Sequence, residues 1–352
     1  MKNLILTFGL GCMTALCTTA QTKNVDLDRV YCTYKYRALP TQPQDPIYFR
    51  YTTRVTSSKV AETKVSIPDL QNALRIEGQT YTPDEAEAKM LLEAYIGNII
   101  IKGSNIAVRT VEDKDRDGKV TKVTRYYSVD VSYTFESSYR ISAEGKELAK
   151  GYLYSHNGNA LVFKTAEFST SQAAADNWNN NREVFVAEFY RDLANKTIGD
   201  LSYRATSLYG FMSRSLNFIL WTSDEKKHNE NIPFQEAIGK LKTILQAMDA
   251  NTPVDREAAQ EVIEYFKGIP ARYADVKLKA DVKLRYAAYF SLCTYYLYAD
   301  EPEKVAEYAD LLIANEYDKK DGEKMKKEAS ALIEIFLKVG MRSRHFVPQG
   351  ML

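Results

Sequence analysis

The run Asp113-Lys114-Asp115-Arg116-Asp117-Gly118 is where residue type and spacing come nearest to a chemistry. Three carboxylates at alternate positions, then a glycine, open a calcium loop: hard oxygen ligands converge on the ion and glycine permits the tight turn. Val120 supplies the apolar eighth position, but the twelfth is Thr124, where a bidentate carboxylate should complete the shell. The same residues read as a solvated hairpin turn on Asp117-Gly118, with Lys114, Arg116 and Lys119 offsetting the acidic charge. Strand-like flanks favour the turn. The calcium reading that stays beside it expects weak binding through Asp113, Asp115 and Asp117, and no other cofactor is expected.

Complete catalytic motifs are missing. The sequence holds no Gly-x-Ser-x-Gly elbow, His-Glu-x-x-His pair, phosphate loop or Gly-x-Gly-x-x-Gly turn. Its three histidines, His156, His228 and His345, stand at no ligand spacing from one another or from a cysteine, which argues against zinc. A glycosidase carboxylate pair obeys no spacing rule. Polysaccharide hydrolases, however, usually carry many aromatic platforms, and here the tryptophans are Trp178 and Trp221 alone. Trp178 lies on a helical apolar stripe and is expected in the core; Trp221 closes an apolar stretch and could plug a domain boundary. A non-catalytic protein is the favoured reading.

The elements that would position these residues begin with a leader. Lys2, the apolar stretch Leu4–Leu16 and the small residues Thr18-Thr19-Ala20 form a secretory signal pattern, with cleavage expected between Ala20 and Gln21. Cys12 and Cys17 both lack a good lipidation context: Gly stands three positions before the first, and bulky Leu16 directly precedes the second. An exported product of the periplasm, outer envelope or exterior is therefore expected. Loss of Lys2 brings 47 basic and 46 acidic residues to balance, so there is no global field to hold nucleic acid. No later segment has the length and apolarity of a membrane span. Only Cys32 and Cys293 outlast the leader; they look to lie in different domains, and two free thiols are favoured over a bond between them.

The chain changes character near residues 200–230. Before it, Ile47–Val55, Met90–Ile101, Asn105–Val111 and Val120–Phe135 read as strands, with Val129, Val131, Tyr133 and Phe135 on one alternating face. Met90–Ile101 is apolar enough to suggest burial on both faces. Glu147–Tyr154 and Ala160–Lys164, flanking Asn157-Gly158, read as a hairpin. One helix is expected over Ile67–Glu77, capped by Ser66 and Asp69 and ended by Gly78. A second is expected from Ser171 to about Asn195, with Trp178, Phe185, Phe189 and Leu193 on its apolar face. Beyond residue 205, Pro233–Met248, Val254–Phe266, Ala274–Tyr298, Glu303–Ala314 and Glu323–Val339 read as helices. Lys267-Gly268-Ile269-Pro270 and Asp300-Glu301-Pro302 read as links. Charge runs such as Asp318–Lys327 read as solvated helix faces. The tail His345-Phe346-Val347-Pro348 is expected to dock on the last helices.

Within Leu284–Glu316, Leu292 and Tyr296, the turn Asp300-Glu301-Pro302, and the small residues Ala306 and Ala309 resemble a tetratricopeptide-like helical hairpin. Cys293 stands where a small Gly usually sits. The stretches Tyr34–Pro46, Ala86–Ile101, Phe168–Asn181 and Asn315–Gly322 resemble an uncharacterised group of exported Bacteroidota-type proteins that pair an α+β lipoprotein-like domain with a helical tail. These resemblances imply a scaffold and a location.

The sequence thus predicts an α+β domain over residues 21–204, with an antiparallel-rich sheet and helices on one face. A stacked helical-hairpin domain over 205–352 follows it. The expected job is that of a non-catalytic interaction or assembly protein binding a protein or envelope partner through a helical groove. The rival is a glycan-binding or glycan-processing protein using exposed tyrosines on the sheet.

Overall fold

The computed structural model describes residues 25–154 and 160–351. The leader, Cys12, Cys17, the Ala20–Gln21 junction, His156 and the Asn157-Gly158 turn lie outside the described residues. In chain order come strands β1 (Leu27–Ala38) and β2 (Arg50–Ser57), short helices α1 (Lys59–Glu62) and α2 (Ile67–Ala73), and strand β3 (Thr80–Tyr81). Strands β4 (Met90–Lys114), β5 (Val120–Ala143), β6 (Lys146–Tyr154) and β7 (Leu161–Lys164) follow, then helix α3 (Ser171–Tyr209) and strand β8 (Met212–Ser223). Helices α4 (Asn231–Ala247), α5 (Arg256–Arg272), α6 (Lys279–Tyr298), α7 (Pro302–Ala314) and α8 (Lys319–Val339) complete the chain, with a 3-10 turn at Gln349–Met351. The fold is α+β followed by a helical region.

Two compact units alternate along the sequence, instead of meeting at one cut near residue 204. One collects residues 25–34, 216–248 and 254–333; the other collects 35–215, 249–253 and 334–351. In the second unit the sheet runs in the order β3-β2-β4-β5-β6, with β7 also on β5. The β2 pairings are parallel and those of β5 antiparallel. Alternation does what was expected on β5: Val129, Val131, Tyr133 and Phe135 are buried under α3. Phe189 stacks on Tyr133 with ring centroids 5.2 Å apart, and Trp178 is buried against Phe185.

Several boundaries differ from expectation, each for a packing reason. Helix α2 is capped by Ser66, whose Oγ accepts from the Asp69 N–H, but it stops at Ala73. Tertiary partners then take the backbone: Arg75 N–H donates to Ser202 Oγ, Ile76 N–H to the Tyr51 hydroxyl, and Glu77 N–H to Thr206 Oγ1. Helix α3 runs on past Asn195 because Ala194, Ile198, Leu201, Ala205 and Tyr209 continue the buried stripe at three-to-four spacing. Strand β4 is continuous, and is buried on one face only, with Tyr95 turned outward. Strands β6 and β7 are no hairpin. Both pair antiparallel with β5, at residues 137–143 and 130–133, as successive stretches of one edge.

The helical unit also departs from expectation. Strand β8, unread in the sequence, pairs with β1. Lys267–Pro270 lies inside α5, the proline being tolerated one turn from the helix end. Helix α6 is buried nearly all round from Ala280 to Tyr298, with Val282, Lys283 and Tyr289 half-buried, and packs against α5 and α7. Tyr34 stacks on Tyr298 at 4.1 Å, and Phe218 meets the same ring at 4.6 Å. Cys32 and Cys293 are free, both buried, and belong to this one unit, not to two domains. Burial pushes both thiols up. The Trp221 ring faces Tyr286 of α6 at 6.2 Å, with Arg29 over it, all within this unit.

Candidate functional site

The acidic run is a β4–β5 turn. Asp115 Oδ1 accepts from the N–H groups of Asp117 (3.0 Å) and Lys119 (2.9 Å), and Gly118 takes the left-handed conformation with φ at 80°. Asp113 lies in β4 opposite Lys122. Asp115 is thus engaged by backbone amides, and among the described residues no group of three His, Cys, Asp or Glu is placed to hold a metal. Asp113, Asp115 and Asp117 are therefore not brought together as a ligand set. Millimolar calcium is expected to leave the melting temperature unchanged in a thermal scan, since a ligand stabilises only by binding the folded state. A clear upward shift would restore the calcium reading.

A polar cluster in the helical unit escaped the sequence reading because its members are far apart in the chain. Glu230, at the start of α4, is almost fully buried. Its carboxylate accepts from the Tyr265 hydroxyl (2.6 Å), the Tyr273 hydroxyl (2.6 Å) and Arg272 Nη2 (3.0 Å). Burial works to raise its pKa, yet these donors together hold it below the ordinary carboxylate value. Buried His228 accepts the Glu230 N–H on Nδ1 at 3.1 Å, and burial keeps its pKa down despite nearby Glu230, Asp281 and Glu225. An ionised carboxylate so enclosed is a structural anchor, with no open face for a substrate.

Helices α6 and α7 form a groove of about 460 Å³, walled by Val276, Val282, Tyr289, Leu311, Ala314 and Arg285. Arg285 is 7% exposed. Its Nε donates to Asn315 Oδ1 (2.9 Å), and its Nη1 to the carbonyls of Tyr273 (2.5 Å) and Asp275 (3.3 Å). Among the described residues it makes no ion pair, and its Nη2 donates to no protein group. Glu316 on the rim pairs instead with Lys319 at 3.0 Å, and Asp281 accepts from the Asp275 N–H. Buried guanidinium groups are ordinarily matched by a carboxylate. This one lines a groove whose walls are apolar at Val276, Val282, Leu311 and Ala314 and polar at Tyr289, Asn315 and Glu316.

The open face of the sheet carries a second concavity, of about 630 Å³. Strand register sets two rows across β2, β4, β5 and β6: Arg54, Glu93, Arg140, Lys150 and, beside it, Thr56, Tyr95, Ser138, Tyr152. Tyr95 and Tyr152 are both exposed, separated by the small Ser138, two strand spacings or about 10 Å apart. Glu93 is the carboxylate of this lining and is paired with Arg54 (2.9 Å) and Arg140. It has no second carboxylate partner there for general acid and base work.

The expected docking of the tail on the last helices is replaced by another seat. His345 Nδ1 lies 2.6 Å from the Asp249 carbonyl, Phe346 N–H donates to the Ala250 carbonyl, and the Phe346 ring packs edge-on against Phe211. No helix among the described residues is long and apolar enough to cross a membrane. Compared with protein-family models and with curated proteins, the sequence matches none.

Proposed function

We propose that this is a non-catalytic, exported binding protein whose α6–α7 groove captures a carboxylate-bearing segment of a partner protein in the cell envelope. The observation that carries this reading is Arg285, a buried cation that makes no ion pair among the described residues, lining a groove of mixed apolar and polar walls. Val282, Tyr289 and Leu311 would hold the apolar part of the segment, and Nη2 its carboxylate. A charge-assisted hydrogen bond contributes about 1.5–3 kcal/mol, so R285Q should weaken partner capture roughly tenfold or more.

The test is affinity capture from the native envelope, with identification of what co-purifies. L311E, on the exposed groove wall, should lose the same partner without loss of fold. Capture indifferent to both R285Q and L311E would overturn the proposal. The second reading is glycan binding on the sheet, favoured by the Tyr95–Ser138–Tyr152 row. Recovery of glycan alone, lost in Y95A and Y152A but not in R285Q, would put that reading first.

A further inference from the structure

From Gly103 to Lys114, β4 pairs with β5 alone, because its pairing with β2 ends at Ile96. Opposite Gly103–Ala107 the β5 residues Val131, Val129 and Ser128 are buried, and from Val108 onward the two strands run on as a largely exposed ribbon. Ile106 at 48%, Val108 at 54% and Val123 at 52% exposure share one face of it. A two-stranded ribbon is marginal in water by itself, and an open edge is a template for a further strand. Native sheets usually blunt such edges, yet between Gly103 and Asp113 this one has neither a proline nor a register irregularity.

We propose that the free edge of β4 pairs antiparallel with the same edge of a second copy of this chain, about a twofold axis at Ala107. Charge complementarity selects the occupant and the register. With the axis at Ala107, Lys102 stands opposite Glu112, Ser104 opposite Thr110, Ile106 opposite Val108, and Asn105 opposite Arg109. Symmetry makes each pairing twice. A shift of the axis by one residue to Val108 sets Lys102 against Lys114, and a shift to Arg109 sets that arginine against itself. A shift to Ile106 leaves Lys102 facing Thr110 and Glu112 facing Ile100. Only the Ala107 register, of these four, pairs opposite charges and apolar with apolar. Lys102 is the extra residue of the β4 bulge between Ile101 and Gly103, and alternation from Ser104 places it on the face that carries Ile106, Val108 and Glu112. Within one copy Glu112 meets only Lys114, at 3.8 Å between two exposed side chains, so it is available to a partner.

Sedimentation velocity over a micromolar concentration series tests this on the whole protein. The expected result is a monomer–dimer equilibrium. K102E and E112K, each placing like charges opposite twice, should raise the dimer Kd about tenfold or more. The double variant K102E/E112K reverses both charges and should return the Kd to near the wild-type value. All three variants change exposed side chains and should keep the wild-type circular dichroism spectrum. A wild-type monomer throughout the series, a dimer indifferent to K102E, or a double variant as weak as the single ones would each overturn the proposal.

Discussion

Replacing Arg37 by methionine is expected to destabilise the protein by about 3 kcal/mol, because several backbone and side-chain acceptors lose a charged, buried donor; the ion pair to half-exposed Glu77 adds little. Arg37 is 3% exposed and works with its whole fork. Nε donates to the Phe346 carbonyl at 2.9 Å, Nη1 to the Phe211 carbonyl at 3.1 Å and to Glu77 at 3.3 Å, and Nη2 to Asn251 Oδ1 at 2.6 Å. Its own N–H donates to the Arg344 carbonyl at 2.8 Å. One side chain thus fastens the C-terminal tail and the turn at 249–253. Methionine fills similar volume but leaves several acceptors unpaired. Lysine keeps the charge without the planar fork, and R37K should fall between wild type and R37M. Urea denaturation measures the loss, and limited proteolysis should show the tail cut earlier in R37M. Equal midpoints for R37M and wild type would refute the anchor role.

Replacing Glu230 by alanine is expected to cost roughly 3 kcal/mol, since three donors lose a charged acceptor in a buried site. The same carboxylate gives stability an acid limb. Its folded pKa lies below the unfolded value, so its contribution is complete above about pH 4.3 and is lost as pH falls through the lower folded value. E230Q should therefore flatten the decline of stability below about pH 4.3. The alkaline side mirrors it. Burial, then Glu230, raises the pKa of Tyr265 and of Tyr273, so their contribution is present below about pH 10 and falls as pH climbs past it. Stability profiles of wild type and E230Q that run parallel at both ends would show that the cluster is not coupled to folding.

Local pattern reported local structure well. The Ser66 cap, the alternating face of β5, the Trp178–Phe189–Leu193 stripe of α3 and the Asp300–Pro302 turn all depend on residues a few positions apart. Where local pattern misled, a distant partner had intervened. Arg75, Ile76 and Glu77 leave the helix because Ser202, Tyr51 and Thr206 accept their amides. Glu147–Lys164 reads as a hairpin because alternation and a turn signal do not say which strand lies alongside. Both halves chose β5.

The candidate sites follow the same division. Nothing in the spacing of Arg285 marks it. Its meaning comes from Asn315, Tyr273 and Asp275 holding Nε and Nη1 while no carboxylate arrives. Glu230 needed Tyr265, Arg272 and Tyr273, and Arg37 needed residues more than 300 positions away. The acidic run went the other way: it looked most like chemistry in one dimension and became a turn whose central carboxylate is occupied by backbone amides. The sequence by itself determined the periodicities, the near-zero charge and the type of most elements, β1 and β8 excepted, because those depend on neighbours along the chain. Only the tertiary structure decided which charges are paired, which face of the sheet is open and which strand edge is left without a neighbour. Burial and pairing are set by groups that the chain brings together from far apart.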